Sequence, residues 1–367
     1  EVVNQLSTDI DYWPCSPHSP VGPREDVNNQ DCGDTHLWSV WHKLEPFEWF
    51  RTSYPRFCSE FGFQSFPELE TVKTFTAPED RYINSRIMDY HQRSRIGNSI
   101  FLQYLNWLPL PANFESTLLA TQILQGIALK YAIEQWRRNM PRCMGALYWQ
   151  LNDCWPGPSW STIDYKLNWK ASQYIVKRAF APIMLSIVEN QADTDFEVHV
   201  SSDKLEDVNG KLFWYITDST GEDLLHGESD CLIPSRKSIP IQKIPVDISS
   251  LDTSAHELIC WCELEVDGII ISRNTASLVK PKHINLKKPN FVYKVDGNNG
   301  LFKVKISSDV NALWVFIDIG TVGHRCSDNF FDMRQGAEYE IEVFTGSDIL
   351  KEELLKMIKV KSILDLV

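Results

Sequence analysis

The sequence predicts the second half of a closed parallel (β/α)8 barrel over residues 1–181, followed by two small β-sandwiches over 182–283 and 284–367. Three observations predict it. Before Pro182, short apolar runs alternate with helical patterns, which implies a parallel sheet with right-handed crossovers. After Pro182 the apolar period falls to two, the mark of half-buried strands. A Lys-rich stretch bounded by Pro281 and Pro289 then reads as a linker between two all-β units. A complete barrel takes about 250 residues, so the first region, with its four strand candidates, suffices for half of one.

In chain order, Glu1 to Leu6 read as the tail of a helix that begins upstream, and there is neither an initiator Met nor a signal-peptide pattern. The chain is therefore expected to be a piece of a longer polypeptide. The strand candidates are Asp11-Tyr12-Trp13-Pro14-Cys15, His36-Leu37-Trp38-Ser39-Val40-Trp41, Arg56-Phe57-Cys58-Ser59 running into Glu60, and Gly145 through Asp153. Between them, Phe66 to Val72 has a proline in its first turn and acids near its start, as a helix start prefers. A longer helix is expected from about Glu115 to Arg138, capped by Asn113 or Ser116 and stopped by Pro141. Its Leu119, Ile123, Ile127 and Tyr131 recur every four residues and predict the buried stripe. Another helix, near Asn168 to Phe180, places Ala171, Tyr174, Ile175 and Arg178 at helical spacing.

Beyond Pro182, Phe196–Val200, Leu212–Ile216 and His256–Leu264 read as strands. Asp267-Gly268, between Glu263–Val266 and Ile269–Arg273, is a two-residue hairpin signal. Leu313–Ile317 and Tyr339–Val343 are the clearest strands of the last unit.

Composition excludes some function classes. The net charge of −13 argues against nucleic acid, whose phosphates demand a basic surface, and suits a neutral ligand such as a glycan. No apolar run approaches the roughly 20 residues of a membrane span. Nine cysteines without a CxxC pair indicate neither a zinc site nor a disulfide framework. Cys260 and Cys262 would share one strand face as small apolar residues. Free thiols and the lack of any Asn-x-Ser/Thr sequon point to a bacterial cytoplasm, with a lysosome as the alternative.

The chemistry centres on Ser59-Glu60-Phe61-Gly62. An acidic residue at the C-terminal end of a buried strand is where parallel barrels place catalytic groups. An ion pair with Arg56 is the plainer reading of the same glutamate. Aromatic rings stack on the apolar C–H faces of sugars, and Trp13, Trp38, Trp41, Trp149 and Trp155 lie in or just after the four strands, interleaved with His36, His42, Asn152 and Asp153. Trp155 and Trp160 suit core filling better. A metal site from Asp34, His36 and His42 fits no standard ligand spacing. Glu60 and these rings suit the nucleophile and stacking wall of a retaining glycosidase, which needs two carboxyl groups about 5–5.5 Å apart.

Four motifs in order carry a resemblance: Tyr12-Trp13-Pro14-Cys15-Ser16-Pro17, Gly33-Asp34-Thr35-His36, Ser59 through Ser65, and Gly145 through Asp153. They resemble the β-mannosidases of glycoside hydrolase family 2, and Ser327-Asp328-Asn329-Phe330-Phe331 resembles a motif of that family's terminal Ig-like domain. The resemblance implies the C-terminal half of a TIM barrel and two Ig-like domains. It implies Glu60 as nucleophile at the end of barrel strand seven and Trp149 as the ring in the mannose subsite, with Tyr12, Trp13, His36, Trp38, Trp41 and Asn152 as further substrate-binding candidates. It implies removal of terminal β-linked mannose from oligosaccharides with retention, and no metal or organic cofactor. Other readings are an exo-β-glucosaminidase, a glycoprotein endo-β-mannosidase, or a non-catalytic carbohydrate-binding or interaction module.

One departure is large. The family's acid/base is a Glu directly after an Asn, and this sequence has no Asn-Glu dipeptide. The acid/base and half the barrel are expected in an upstream portion, the chain's principal partner; the chain alone is expected to be inactive. Oligomerisation is compatible with two open sheet edges.

Overall fold

The computed structural model describes residues 2–7, 9–21, 26–251, 253–320, 322–346 and 349–367. Its first region holds a three-stranded parallel sheet in the order β1-β2-β3, with β1 Thr35–Leu37, β2 Cys58–Phe61 and β3 Ala146–Tyr148. Residues 11–15 form no strand, contrary to expectation. Pro14 has no N–H for a ladder, and the segment is exposed and tied down by side chains instead. The second candidate also ends early. The strand stops at Leu37, and Ser39–Lys43 is a short helix whose Val40 and Trp41 are buried. Apolar residues at 37, 40 and 41 fit that helical spacing as well as they fit a strand. A short helix at Val2–Leu6 agrees with the helical expectation there, and Glu1 lies outside the described residues.

The long helix spans Phe114–Arg138, and the Asn113 side chain caps it by accepting from Ser116 N–H at 2.9 Å. Its stripe is wider than predicted. Ile123 and Ile127 are buried as expected, Leu119 and Tyr131 only partly, while Ala120, Leu124, Ala128 and Leu129 are buried too. A helix buried on most sides is enclosed rather than laid on a surface, and this one is covered by the sheet region, by the helix Ala171–Ala179 and by the β unit that follows residue 182. The predicted Phe66–Val72 helix shrinks to Leu69–Val72.

After residue 182 the described residues build two seven-stranded units. The first comprises β4 Ile183–Asn190, β5 Asp195–Ser202, β6 Val208–Thr217, β7 Asp223–Ile233, β8 Lys237–Pro245, β9 Ile259–Val266 and β10 Ile269–Ala276, arranged as β4-β5-β8 and β10-β9-β6-β7. Val198, Val200, Leu212, Ile216, Cys260, Cys262 and Leu264 fill one core between these sheets. The Asp267-Gly268 turn has φ of 53° and 77°, as the hairpin signal requires, and joins β9 to β10 with Ile269 opposite Val266.

The second unit comprises β11 Phe291–Asn298, β12 Leu301–Ser308, β13 Ala312–Asp318, β14 His324–Cys326, β15 Phe331–Met333, β16 Tyr339–Thr345 and β17 Lys359–Lys361, arranged as β11-β12-β16-β14 and β15-β13-β17. Both are Ig-like sandwiches with four strands over three.

Ion pairs and hydrogen bonds dock these layers. Arg51 pairs with Glu189 at 2.6 Å, Asn274 donates to Glu134 at 2.7 Å, and Arg137 donates to the Ala179 and Ala181 carbonyls and to Asp203. Arg178, read as part of a helix stripe, instead reaches the Ser327–Phe331 motif. It pairs with Asp328 and donates to the carbonyls of Asn329 at 3.0 Å and Phe330 at 2.7 Å. That motif is a docking point between layers.

Candidate active site

Register decides what surrounds Glu60. The β1–β2 ladder shifts between Thr35 and His36, so that Thr35 pairs with Cys58 while His36 pairs with Glu60. An irregularity of this kind re-aims a side chain. His36 Nδ1 lies 3.2 Å from Glu60 Oε2, and Trp38, one residue past β1, donates to the same oxygen from Nε1 at 3.2 Å. The Glu60 side chain keeps 28% of its area exposed, so it is reachable from outside while two ring nitrogens face it. Its partners are these rings, and not Arg56.

Gly62 brings the third strand's loop into the same place. A Cβ there would lie 2.2 Å from the Trp149 carbonyl oxygen and 3.0 Å from the Trp38 ring. The Trp149 N–H donates to the Phe61 carbonyl at 2.7 Å. Trp149, half-exposed, lines a cleft of about 530 Å³ with Gln92, Arg93, Gln150, Cys154 and Trp160. Behind it, Gln125 of the long helix donates to the carbonyls of Phe63, Trp160 and Ser161 and accepts from the Ser65 and Ser172 hydroxyls. One amide thus anchors the chain after β2 and the chain after β3.

A second carboxylate, Asp34, stands beside the Glu60 cluster. It accepts from Trp13 Nε1 at 3.0 Å, from His18 N–H at 2.9 Å, and from the Ser16 and Ser59 hydroxyls at 2.5 Å each. Burial works against its charge, but the hydrogen bonds of Ser16, Ser59, Trp13 and His18 more than offset this and hold its pKa at about 2. Gly33 makes the turn possible. Its φ is +69°, and a Cβ would lie 1.9 Å from the His18 carbonyl oxygen. The Ser16 hydroxyl lies 3.0 Å from His36 Nε2.

The structure thus gathers Glu60, His36 and Trp38, with the Trp149 backbone against Gly62 and Phe61, and Trp13 linked to His36 through Asp34 and Ser16. Trp41 is a correction. It is fully buried against Phe63, Phe101 and Trp160, with no ring face left for a sugar. Tyr12 and Asn152 are exposed, and among the described residues the side-chain partners of Glu60 are His36 and Trp38. Trp155 stacks on His91, and Trp160 packs edge-on to Trp38. His42 packs on Trp38, and among the described residues no three His, Cys, Asp or Glu side chains are grouped to hold a metal ion.

Sequence reasoning did not assign Asp34, Ser16 or Ser59 to the glutamate's surroundings. The available signal was the two-residue spacing of Asp34 and His36 at a strand start, beside a glycine. Gln125 carried a signal too, as a polar side chain within an apolar helix. Lys170 is fully buried, its pKa pushed down by burial to about 8 despite Asp153, Asp164 and Glu68, and its Nζ lies 3.2 Å from Ser65 Oγ.

Comparison with known proteins places this geometry among relatives. Residues 194–283 match a family described as a mannosidase Ig/CBM-like domain, and residues 286–366 match an Ig-fold domain family of mannosidases. The chain is 27% identical to beta-mannosidase B of Neosartorya fischeri over 94% of its own length and 42% of that protein. It is 30% identical to beta-mannosidase B of Aspergillus niger over 70% of its length and 33% of that protein. The crystal structure of the beta-D-mannosidase of Dictyoglomus thermophilum superimposes with a TM-score of 0.89 at 30% identity, covering 99% of this chain and 43% of that one. An exo-chitosanase of Amycolatopsis orientalis shares the fold at 15% identity and a TM-score of 0.67. The chain spans less than half the length of the curated relatives it matches.

Proposed function

This chain belongs to the β-mannosidases of glycoside hydrolase family 2 as a C-terminal portion, and on that premise we propose that the complete protein is a retaining exo-β-mannosidase with Glu60 as its nucleophile. Residues 1–181 are the second half of its (β/α)8 barrel; residues 182–283 and 284–367 are its Ig-like domains. A lone pair of the Glu60 carboxylate attacks the anomeric carbon as the glycosidic oxygen departs with a proton from a second carboxyl group. Water then attacks the glycosyl ester and gives up a proton to that second group, releasing Glu60 and mannose with net retention. The second carboxyl comes from the upstream portion of the protein. The same portion covers the open edge at β3, where Leu147 is 57% exposed.

The observation that carries this reading is the setting of Glu60, a reachable carboxylate at a strand end faced by the Trp38 indole N–H and His36, with the Trp149 backbone close against Gly62, two residues on. An attacking carboxylate must be ionised, and ring donors serve that need. Trp149 offers the flat apolar surface a pyranose stacks on. The test is Glu60→Gln in the complete protein with an aryl β-mannoside. Turnover is expected to fall by on the order of 10³-fold or more, and a fluorinated mannosyl inactivator is expected to label Glu60. Undiminished turnover, or a label on another residue, refutes the assignment.

A further inference from the structure

We propose that Asp34 is a positioning residue for Glu60: acting through the Ser16 hydroxyl, it fixes the His36 ring with Nε2–H toward Ser16, so that Nδ1 donates to Glu60 only when the ring carries a second proton. The inference rests on the reading of Glu60 as nucleophile and adds a group that sets its charge environment.

The argument is a count of protons. An ionised carboxylate only accepts hydrogen bonds. Asp34 is held ionised, so at Oδ2 the Ser16 and Ser59 hydroxyls must both donate, at 2.5 Å each, and the longer 3.1 Å contact between the two hydroxyls is left without a proton. Each hydroxyl has a single proton. With its proton committed to Asp34, Ser16 Oγ has only lone pairs to offer His36 Nε2 at 3.0 Å, so Nε2 must carry a hydrogen. A neutral imidazole has one N–H, and Nδ1 would then turn a lone pair toward the Glu60 carboxylate 3.2 Å away. Two lone pairs at that distance repel. The contact is favourable when His36 is an imidazolium, donating from both nitrogens, next to an ionised Glu60. The chain Asp34–Ser16–His36–Glu60 thus favours an ion pair at the attacking group. Trp38 Nε1–H, the other donor to Oε2, does not depend on it.

Among the described residues, the charged or titratable groups facing His36 are Glu60 from β2 and, through Ser16, Asp34. The His18 ring faces Cys15 and its backbone N–H donates to Asp34, while the His36 backbone N–H donates to the Asn28 side-chain oxygen. Losing that second proton turns the Nδ1 contact with Glu60 from a donated hydrogen bond into a repulsion.

Asp34→Asn inverts the relay. Trp13 Nε1–H and His18 N–H both donate to Oδ1, so the replacement amide places its oxygen there and its NH2 toward Ser16. Ser16 is then free to donate to His36 Nε2, and a neutral ring can put its one proton on Nδ1, facing Glu60. Ser16→Ala cuts the relay and leaves the ring equally free.

The experiment measures kcat/KM against pH in the complete protein with 2,4-dinitrophenyl β-mannoside, whose leaving group needs no proton from the second carboxyl. Asp34→Asn and Ser16→Ala are each expected to move the alkaline limb upward by about one pH unit or more, while Ser16→Thr, which keeps the hydroxyl, retains the parent limb. An alkaline limb that stays in place in Asp34→Asn and Ser16→Ala overturns the proposal, even if rates fall uniformly. Should Asp34→Asn fail to fold, Ser16→Ala alone decides by the same criterion. Failure of the nucleophile assignment would appear separately, as mannosyl label away from Glu60.

Discussion

At the scale of single residues, Glu68 shows how burial sets pH behaviour near the site. Burial, then repulsion from Asp164, raises its pKa to about 7, against opposing help from Gln122 and Lys170. A carboxyl with a raised folded pKa holds a proton in the folded state that the unfolded chain has released. Stability therefore falls as pH rises from about 4.5 to about 7, and stays lowered above that window. Glu68→Gln removes the titration. Because the side chain is only half-buried by area, the gain at pH 8 is discounted to about 1–2 kcal/mol, with little change at pH 4. Urea denaturation of the chain at both pH values checks it; equal effects at the two values would refute the assignment.

At the scale of elements, the long helix supports the site through one amide. Gln125 serves the carbonyls of Phe63, Trp160 and Ser161 and the hydroxyls of Ser65 and Ser172. Gln125→Leu has similar length but leaves buried carbonyls without a donor, a loss of about 2–4 kcal/mol. Chemical denaturation reads the loss, and a change below about 0.5 kcal/mol would show that the loops hold themselves. The helix itself was legible. Asn113 followed by an apolar repeat is a start signal whose mechanism is local, the side chain accepting from Ser116 N–H. The short strands were less so. His36–Trp41 reads equally as strand or helix over a few residues, and the break at Leu37 depends on what Val40 and Trp41 pack against.

At the scale of the whole molecule, Arg51, Arg137 and Arg178 fasten the sheet region and its helices to the two sandwiches. These are contacts across more than 60 residues of chain, and none could be inferred from spacing. The sheet order β1-β2-β3 leaves both outer strands open. On the proposed function the general acid and part of the pocket wall come from the upstream portion, so the chain purified alone is expected to show no hydrolysis of an aryl β-mannoside, loss of a general acid costing on the order of 10²–10⁴-fold. Measurable turnover by the isolated chain, at a rate above its Glu60→Gln variant, would mean that the second carboxyl lies within these residues.

What the sequence alone determined is whatever the backbone period and local chemistry express. The change of period at Pro182, the Asp267-Gly268 hairpin, the Asn113-capped helix and a glutamate at a strand end followed by glycine are all of that kind. Tertiary structure decided the rest. It sent Trp41 into the core while Trp38, three residues away, turned to Glu60, and it set the register that pairs His36 with Glu60. It also assembled Asp34, Ser16 and Ser59, drawn from three stretches of chain. The reason is physical: alternation shows that a side chain has a buried face, but which neighbour fills that face depends on distant packing, whose energy no local window contains.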